Sequence, residues 1–173
     1  FPYTTLFRSQ AHPLAQMMPV IRKLLVRDAD NDSGMLVAVG DAMGRLLWVE
    51  GDQGLKSKAE SMMFVEGSDW SESVAGTSAP GTALTLDHAI QIRRDEHFNR
   101  LVHAWSCTAV PVHDPETKAI IGVIDITWHW GRTIDQVEPG LCRHVQGHID
   151  FDHTQLGSIS ADDAKRTDAD LPV

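Results

Sequence analysis

Apolar residues recur at Leu14, Met17, Met18, Ile21, Leu24 and Leu25, the i, i+3, i+4, i+7 spacing of one helix face. The spacing predicts an amphipathic helix over Leu14–Leu25 that Pro19 kinks or restarts, with the turn-forming cluster DADNDSG (Asp28–Gly34) ending it. Met35–Val39 and Arg45–Glu50 are β-rich runs on either side of GDAMG. With Asp41 first and Gly44 fourth, the connection fits a type I turn inside an antiparallel hairpin. In Asp52–Phe64 the residues Leu55, Ala59, Met62 and Met63 fall on one side, which predicts a second, short helix. Ala89–Arg94 sets Ile90 and Ile92 against Gln91 and Arg93, the alternation of a half-buried strand, and Asp95–His103 is polar and mixed, a loop or short helix. Ser106–Val112 and Ala119–Thr127 are two further strands, joined through HDPETK. Between the two halves lies WSESVAGTSAPGTAL (Trp70–Leu84), rich in small residues, with Ser78 at the N-cap of a helix that holds Pro80 in its first turn. Strands outside and helices in a middle insertion predict an α+β fold, an antiparallel sheet flanked by helices. Beyond Thr127 neither periodicity is sustained, which predicts loose structure.

Composition narrows the function classes. The chain has 173 residues, 42% of them apolar, enough for one domain with a sizeable core. Fifteen basic against twenty-four acidic side chains leave a formal charge of -9, which argues against binding nucleic acid through phosphate contacts; any DNA-binding output domain then belongs to a part outside this chain. Two cysteines, Cys107 and Cys142, make no disulfide framework. With no apolar run of membrane-spanning length and no secretion signal, the expected setting is cytoplasmic. Phe1–Ser9 can be written codon by codon as a widely used sequencing adapter. The expected organisation is therefore an adapter-derived artefact at 1–9, a domain at 10–128 and a poorly structured or frame-shifted tail at 129–173, the whole being a fragment.

The words HPLAQMMPVIRKLL, VGDAMGRLLWVEGD, DWSESVAGTSAPGTALTLDHAIQI, DEHF and WSCTAVPVHDPETKAIIGVIDIT follow one another from His12 to Thr127. In order and spacing they resemble the GAF sensor domains of bacterial transcription regulators, both the actinobacterial kind and the activators of acetoin and glycerol catabolism. The chain departs from that pattern twice. Gly76-Thr77-Ser78 stands where the family has Gly-Thr-Asn, and WHWGRTIDQ replaces a helix that would pack beside the first one. A frame error near Trp128 and a divergent tail are the two readings of the second departure; on the first of these, removing everything beyond Thr127 leaves the thermal midpoint unchanged.

The resemblance implies a GAF-like antiparallel sheet whose face, with the middle insertion, encloses a small-molecule pocket. The residue types suit an apolar pocket with a few polar points: Trp70, Phe98 and Trp105 as walls, Thr77, Ser78, Thr82, His97 and Cys107, with Ser106, as polar points, and Gly76 and Gly81 for close backbone approach. The same residues also fit core packing and turn formation. Cys107 admits a second reading, a redox-sensing thiol or a nucleophile; His113, six residues along the strand and about 20 Å away, is a poor partner for it. In the tail, Cys142, His144, His148 and His153 match no standard zinc spacing. The expectation is thus a ligand-sensing regulatory domain with no catalytic residue, metal or cofactor, dimeric through its N-terminal helix. A purely structural dimerisation module is the remaining alternative.

Overall fold

The computed structural model describes residues 9–26 and 34–129. Residues 27–33, which hold most of the expected turn cluster, the first eight residues and the tail from 130, with its Cys142, His144, His148 and His153, lie outside the described residues. Five strands form one antiparallel sheet: β1 (Met35–Asp41), β2 (Leu46–Gly51), β3 (Ile90–Arg93), β4 (Trp105–His113) and β5 (Ile120–His129), in the spatial order β2-β1-β5-β4-β3. The last strand is therefore the central one, and both of its faces are covered. This is the α+β sheet that the strand and helix periods call for.

The two faces carry different elements. Val37, Val39, Val110, Val112, Ile124, Ile126 and Trp128 face the N-terminal segment, from which Leu14, Met18 and Ile21 bury themselves against them. That segment is broken. A 3-10 turn over Pro13–Gln16 leads into α1 (Met18–Ile21), with Pro19 in its first turn, and a wider π-type turn over Arg22–Val26 follows. Pro19 has no N–H to give and its ring fixes the local geometry, so the apolar stripe survives while the regular helix does not. Arg22 ties the segment to β2 through a forked pair with Glu50, Nη2 to Oε1 at 2.7 Å.

The opposite face is built in two parts. Leu36, Ala38 and Val49 pack against Leu55 and Ala59 of α2 (Gln53–Glu60), and against Met62, Phe64 and Trp70 that follow it. Asp52 caps α2, its Oδ1 accepting from the Leu55 N–H at 3.0 Å. Met63, expected on the apolar side of this helix, is instead exposed: the helix ends at Glu60, and Met63 takes a left-handed turn conformation at φ 61°. The second part is α4 (Ala79–Leu86), which follows a short helix α3 (Glu72–Ala75) and packs on β4 and β5.

The β1–β2 turn is the one its residues dictate. Gly44 N–H donates to the Asp41 carbonyl at 3.0 Å, while the Asp41 side chain accepts from the backbone N–H groups of Met43 and Arg45. Its tip also holds the middle segment, since the Gly44 carbonyl accepts from the Trp70 N–H at 2.8 Å.

Trp128 does not begin a loose tail. β5 continues to His129, Trp128 stands opposite both Met35 and Ser106, and its indole is buried in the N-terminal core. Removing everything beyond Thr127 would take this core side chain with it, so the structure leads one to expect a lowered thermal midpoint where the frame-error reading expects little change.

Candidate functional site

The centre of the α4-facing surface is polar. On β5, alternate side chains point to this face, and Val123, Asp125 and Thr127 line it while Ile124, Ile126 and Trp128 face the N-terminal segment. Asp125 stands directly opposite Ala38 on one side and Ala109 on the other, so neither cross-strand position offers it a polar partner. It is only 1% exposed. Burial pushes its carboxyl up to about 7, an effect that the Thr127 hydroxyl reduces.

Thr127 Oγ1 lies 2.5 Å from Asp125 Oδ2 and 3.3 Å from Cys107 Sγ, all three groups being buried. A hydroxyl has one hydrogen. When the Thr127 hydrogen goes to the carboxylate, the Cys107 S–H is free to donate to Thr127; when it goes to sulfur, the short oxygen contact requires a proton from Asp125. Either way the second carboxyl oxygen, Oδ1, has no partner. The Cys107 thiol is raised well above its ordinary value, first by burial and then by Asp125, which keeps it a protonated, unreactive thiol.

Above this floor sits the Trp70–Leu86 stretch. Trp70 is buried, edge-on to Phe64 at 4.9 Å, and its indole N–H donates to the Met63 carbonyl at 3.1 Å. Gly76 turns the chain at φ 71°, and a Cβ there would strike the Phe98 ring. Ser78 occupies the N-cap position of α4 with extended backbone, but its hydroxyl does not cap; buried, it donates instead to the Trp70 carbonyl at 3.4 Å. Thr82 reaches Glu72 Oε1 at 3.4 Å. Thr77 is half-buried and its carbonyl accepts from the Phe98 N–H at 3.0 Å.

The nine residues expected to contact ligand therefore separate. Trp70, Ser78, Gly81, Thr82, Trp105 and Cys107 are buried between the sheet and the insertion. Phe98, expected as a wall, is 78% exposed and lies across Gly76 on the outside. His97 is buried, with Nδ1–H donating to the Arg94 carbonyl at 2.9 Å and Nε2 left as an acceptor without a partner. Burial is the main cause that lowers its pKa. His113 pairs with Asp87 at 2.6 Å at the surface, away from Cys107. Asp125 and Thr127 are the polar residues that the sequence did not single out. Their signal was present: a lone Asp in the apolar run AIIGVIDIT. A separate cleft of about 270 Å³, lined by Val49, Lys56, Glu60, Phe64, Val65 and Glu66, shares no residue with this set.

The architecture is that of a GAF-like α+β regulatory domain, five antiparallel strands with helices on both faces. The chain belongs to the MimR N-terminal domain family, which it matches over residues 2–149. It is 66% identical over 117 residues to an uncharacterised 47.3 kDa protein in the thcA 5′ region of Rhodococcus erythropolis, covering 68% of this chain and 26% of that one. It is 35% identical over 114 residues to the acetoin dehydrogenase operon transcriptional activator AcoR of Bacillus subtilis, covering 66% of this chain and 18% of AcoR. The chain thus spans about a quarter or less of the length of these relatives. Among solved structures it is similar to the E. coli DhaR(N)–DhaL complex, with a TM-score of 0.66 and 18% identity, over 89% of this chain and 48% of that one. At that identity the likeness is one of fold. Among the described residues, no helix is long and apolar enough to cross a membrane, and no cluster of His, Cys, Asp or Glu has the makings of a metal site.

Proposed function

We propose that this chain is the ligand-sensing domain of a cytoplasmic transcriptional activator, and that its ligand is a small molecule held between the α4-facing side of the sheet and the Trp70–Leu86 insertion. The observation that carries the reading is the buried, half-satisfied carboxyl of Asp125 beneath that insertion. Buried polar groups are normally paired, and an exception at the centre of a sheet is costly unless something else completes it. Family membership supports the regulatory role, and relatives such as AcoR carry activator names.

Transmission follows from the strand order. β5 touches the candidate site with one face and the N-terminal segment with the other, Leu14 packing where Gly122 leaves room. A ligand that orders the insertion shifts β5, and with it the N-terminal segment and any partner copy or output domain joined there. It does so only in so far as it binds one arrangement better than the other. A thermal-shift screen of the 173-residue chain against small metabolites tests this. At least one compound should raise the midpoint in a dose-dependent way, and a screen with no stabilising compound would leave the structural-module reading in its place.

A further inference from the structure

We propose that Asp125 is a proton-operated latch for the middle insertion: while its carboxyl is neutral, α3 and α4 lie closed on the sheet, and when it loses its proton they lift together and admit water. The inference goes beyond ligand sensing, since the proton acts on the cover with no ligand present.

Asp125 sits in the middle of the central strand, which pairs with β1 on one side and β4 on the other. Its Oδ1 has no hydrogen-bond partner, and Oδ2 meets the Thr127 hydroxyl. A neutral carboxyl tolerates this arrangement. A carboxylate would exchange its shell of water for one hydroxyl hydrogen, with no cation beside it. The titratable side chains of the elements packed here supply no counter-ion. Cys107 of β4 is a protonated thiol, and His129 of β5 stacks edge-on against Trp105. Glu72 of α3 reaches Thr82, and Asp87 at the end of α4 pairs with His113 at the surface. On α2, Asp52 caps the helix, Lys56 and Glu60 line the separate cleft and Lys58 is exposed. His97 is held by the Arg94 carbonyl.

The sheet cannot open to relieve the charge, because β5 is bonded along both edges. The cover can. α4 meets this face through small side chains, Ala79 and Ala83 against Cys107, Ala109 and Val123. Its side-chain ties from Ser78 and Thr82, each 3.4 Å long, run to Trp70 and Glu72 rather than to the sheet. Gly81 packs directly on the backbone of Trp70–Glu72, so α3 and α4 move as one unit, and no residue of α3 is buried. The closed form holds the proton more tightly than the open one, so a rising pH favours opening. With Asp125 at about 7 when closed and near the ordinary 3.8 when wetted, the open fraction should rise roughly tenfold per pH unit up to about pH 7 and level off above it.

Cys107 lies beneath α4 and reports the opening. Its alkylation by N-ethylmaleimide is followed in the folded 173-residue chain by peptide-resolved mass spectrometry, which separates it from Cys142. Division by the rate in the urea-unfolded chain at the same pH removes the thiol's own titration and gives the open fraction. Low urea distinguishes the routes: local opening exposes little surface and leaves the rate unchanged, whereas complete unfolding accelerates it steeply. The ratio should climb as stated and hold through low urea. Asp125→Asn, which keeps the shape and cannot ionise, should lose the climb, and His113→Gln, which removes the surface pair, should keep it. A ratio that ignores pH in the natural chain, or a steep urea dependence at every pH, would overturn the proposal without any variant having to fold. A climb retained in Asp125→Asn, or lost in His113→Gln, would overturn it as well.

Discussion

Gly81 presses its α-carbon onto the backbone of Trp70: a Cβ at this position would lie 2.7 Å from the Trp70 carbonyl oxygen and 2.6 Å from the Glu72 N–H nitrogen. The α4 helix is thus docked on the chain segment that precedes it, with no side chain between. In an exposed helix, Gly→Ala is favourable by up to about 1 kcal/mol. Here the obstacle is backbone on two sides, so Gly81→Ala should destabilise the domain by about 1–3 kcal/mol, measured by urea unfolding. An unchanged or raised stability would mean that α4 is free to lift away.

Trp128 anchors the end of β5 to the N-terminal core, beside Leu14, Met18 and Ile21. Trp128→Ala should cost about 3–5 kcal/mol, and a chain ending at Thr127 should lose a comparable amount. Thermal melts of the two, compared with a chain ending at His129, separate the contribution of the strand from that of everything after it.

Asp125 should make stability fall as the pH rises. Its folded-state value of about 7 lies above the ordinary carboxylate 3.8, so between those values the folded state binds more protons than the unfolded one. The stabilisation is fully present below about pH 4. It is lost, at up to about 1.4 kcal/mol per pH unit, as the pH rises toward about 7, and changes no further above that. His97, whose lowered value acts in the opposite direction, contributes to both proteins when the natural chain is compared with Asp125→Asn. The variant should therefore gain on the natural chain from pH 4.5 to pH 8 in urea unfolding, and a difference that does not change with pH would place Asp125 in contact with water.

Cys107 should behave as an inert core thiol. Burial and the neighbouring carboxyl hold it protonated, so iodoacetamide should label it in urea but not in the native chain, as read by peptide-resolved mass spectrometry. Rapid native labelling would revive the redox reading of this residue.

The sheet and its hairpins were legible because their residues obey local rules: the Asp41–Gly44 turn, the alternation at Ile90–Arg93 and the apolar stripe from Leu14 all reappear in the structure. Two things were not. The N-terminal stripe keeps its buried face while its helix breaks into turns around Pro19, because burial depends on which residues face the sheet and regular hydrogen bonding does not survive the proline. Asp125 stands out in the sequence as a lone acid in an apolar run, but its burial depends on β5 being the central strand with α4 over it, a fact of strand order that no local pattern carries. Phe98, expected as a pocket wall, lies on the outside, across Gly76.

The most direct test of the account is amide hydrogen exchange on the chain with and without a compound that stabilises it. Ligand held beneath the insertion should slow exchange in residues 70–82, 105–108 and 123–127 together, with a smaller effect in the N-terminal segment on the far side of β5. Protection confined to the cleft around Val49, Phe64 and Glu66, with the insertion unchanged, would contradict it.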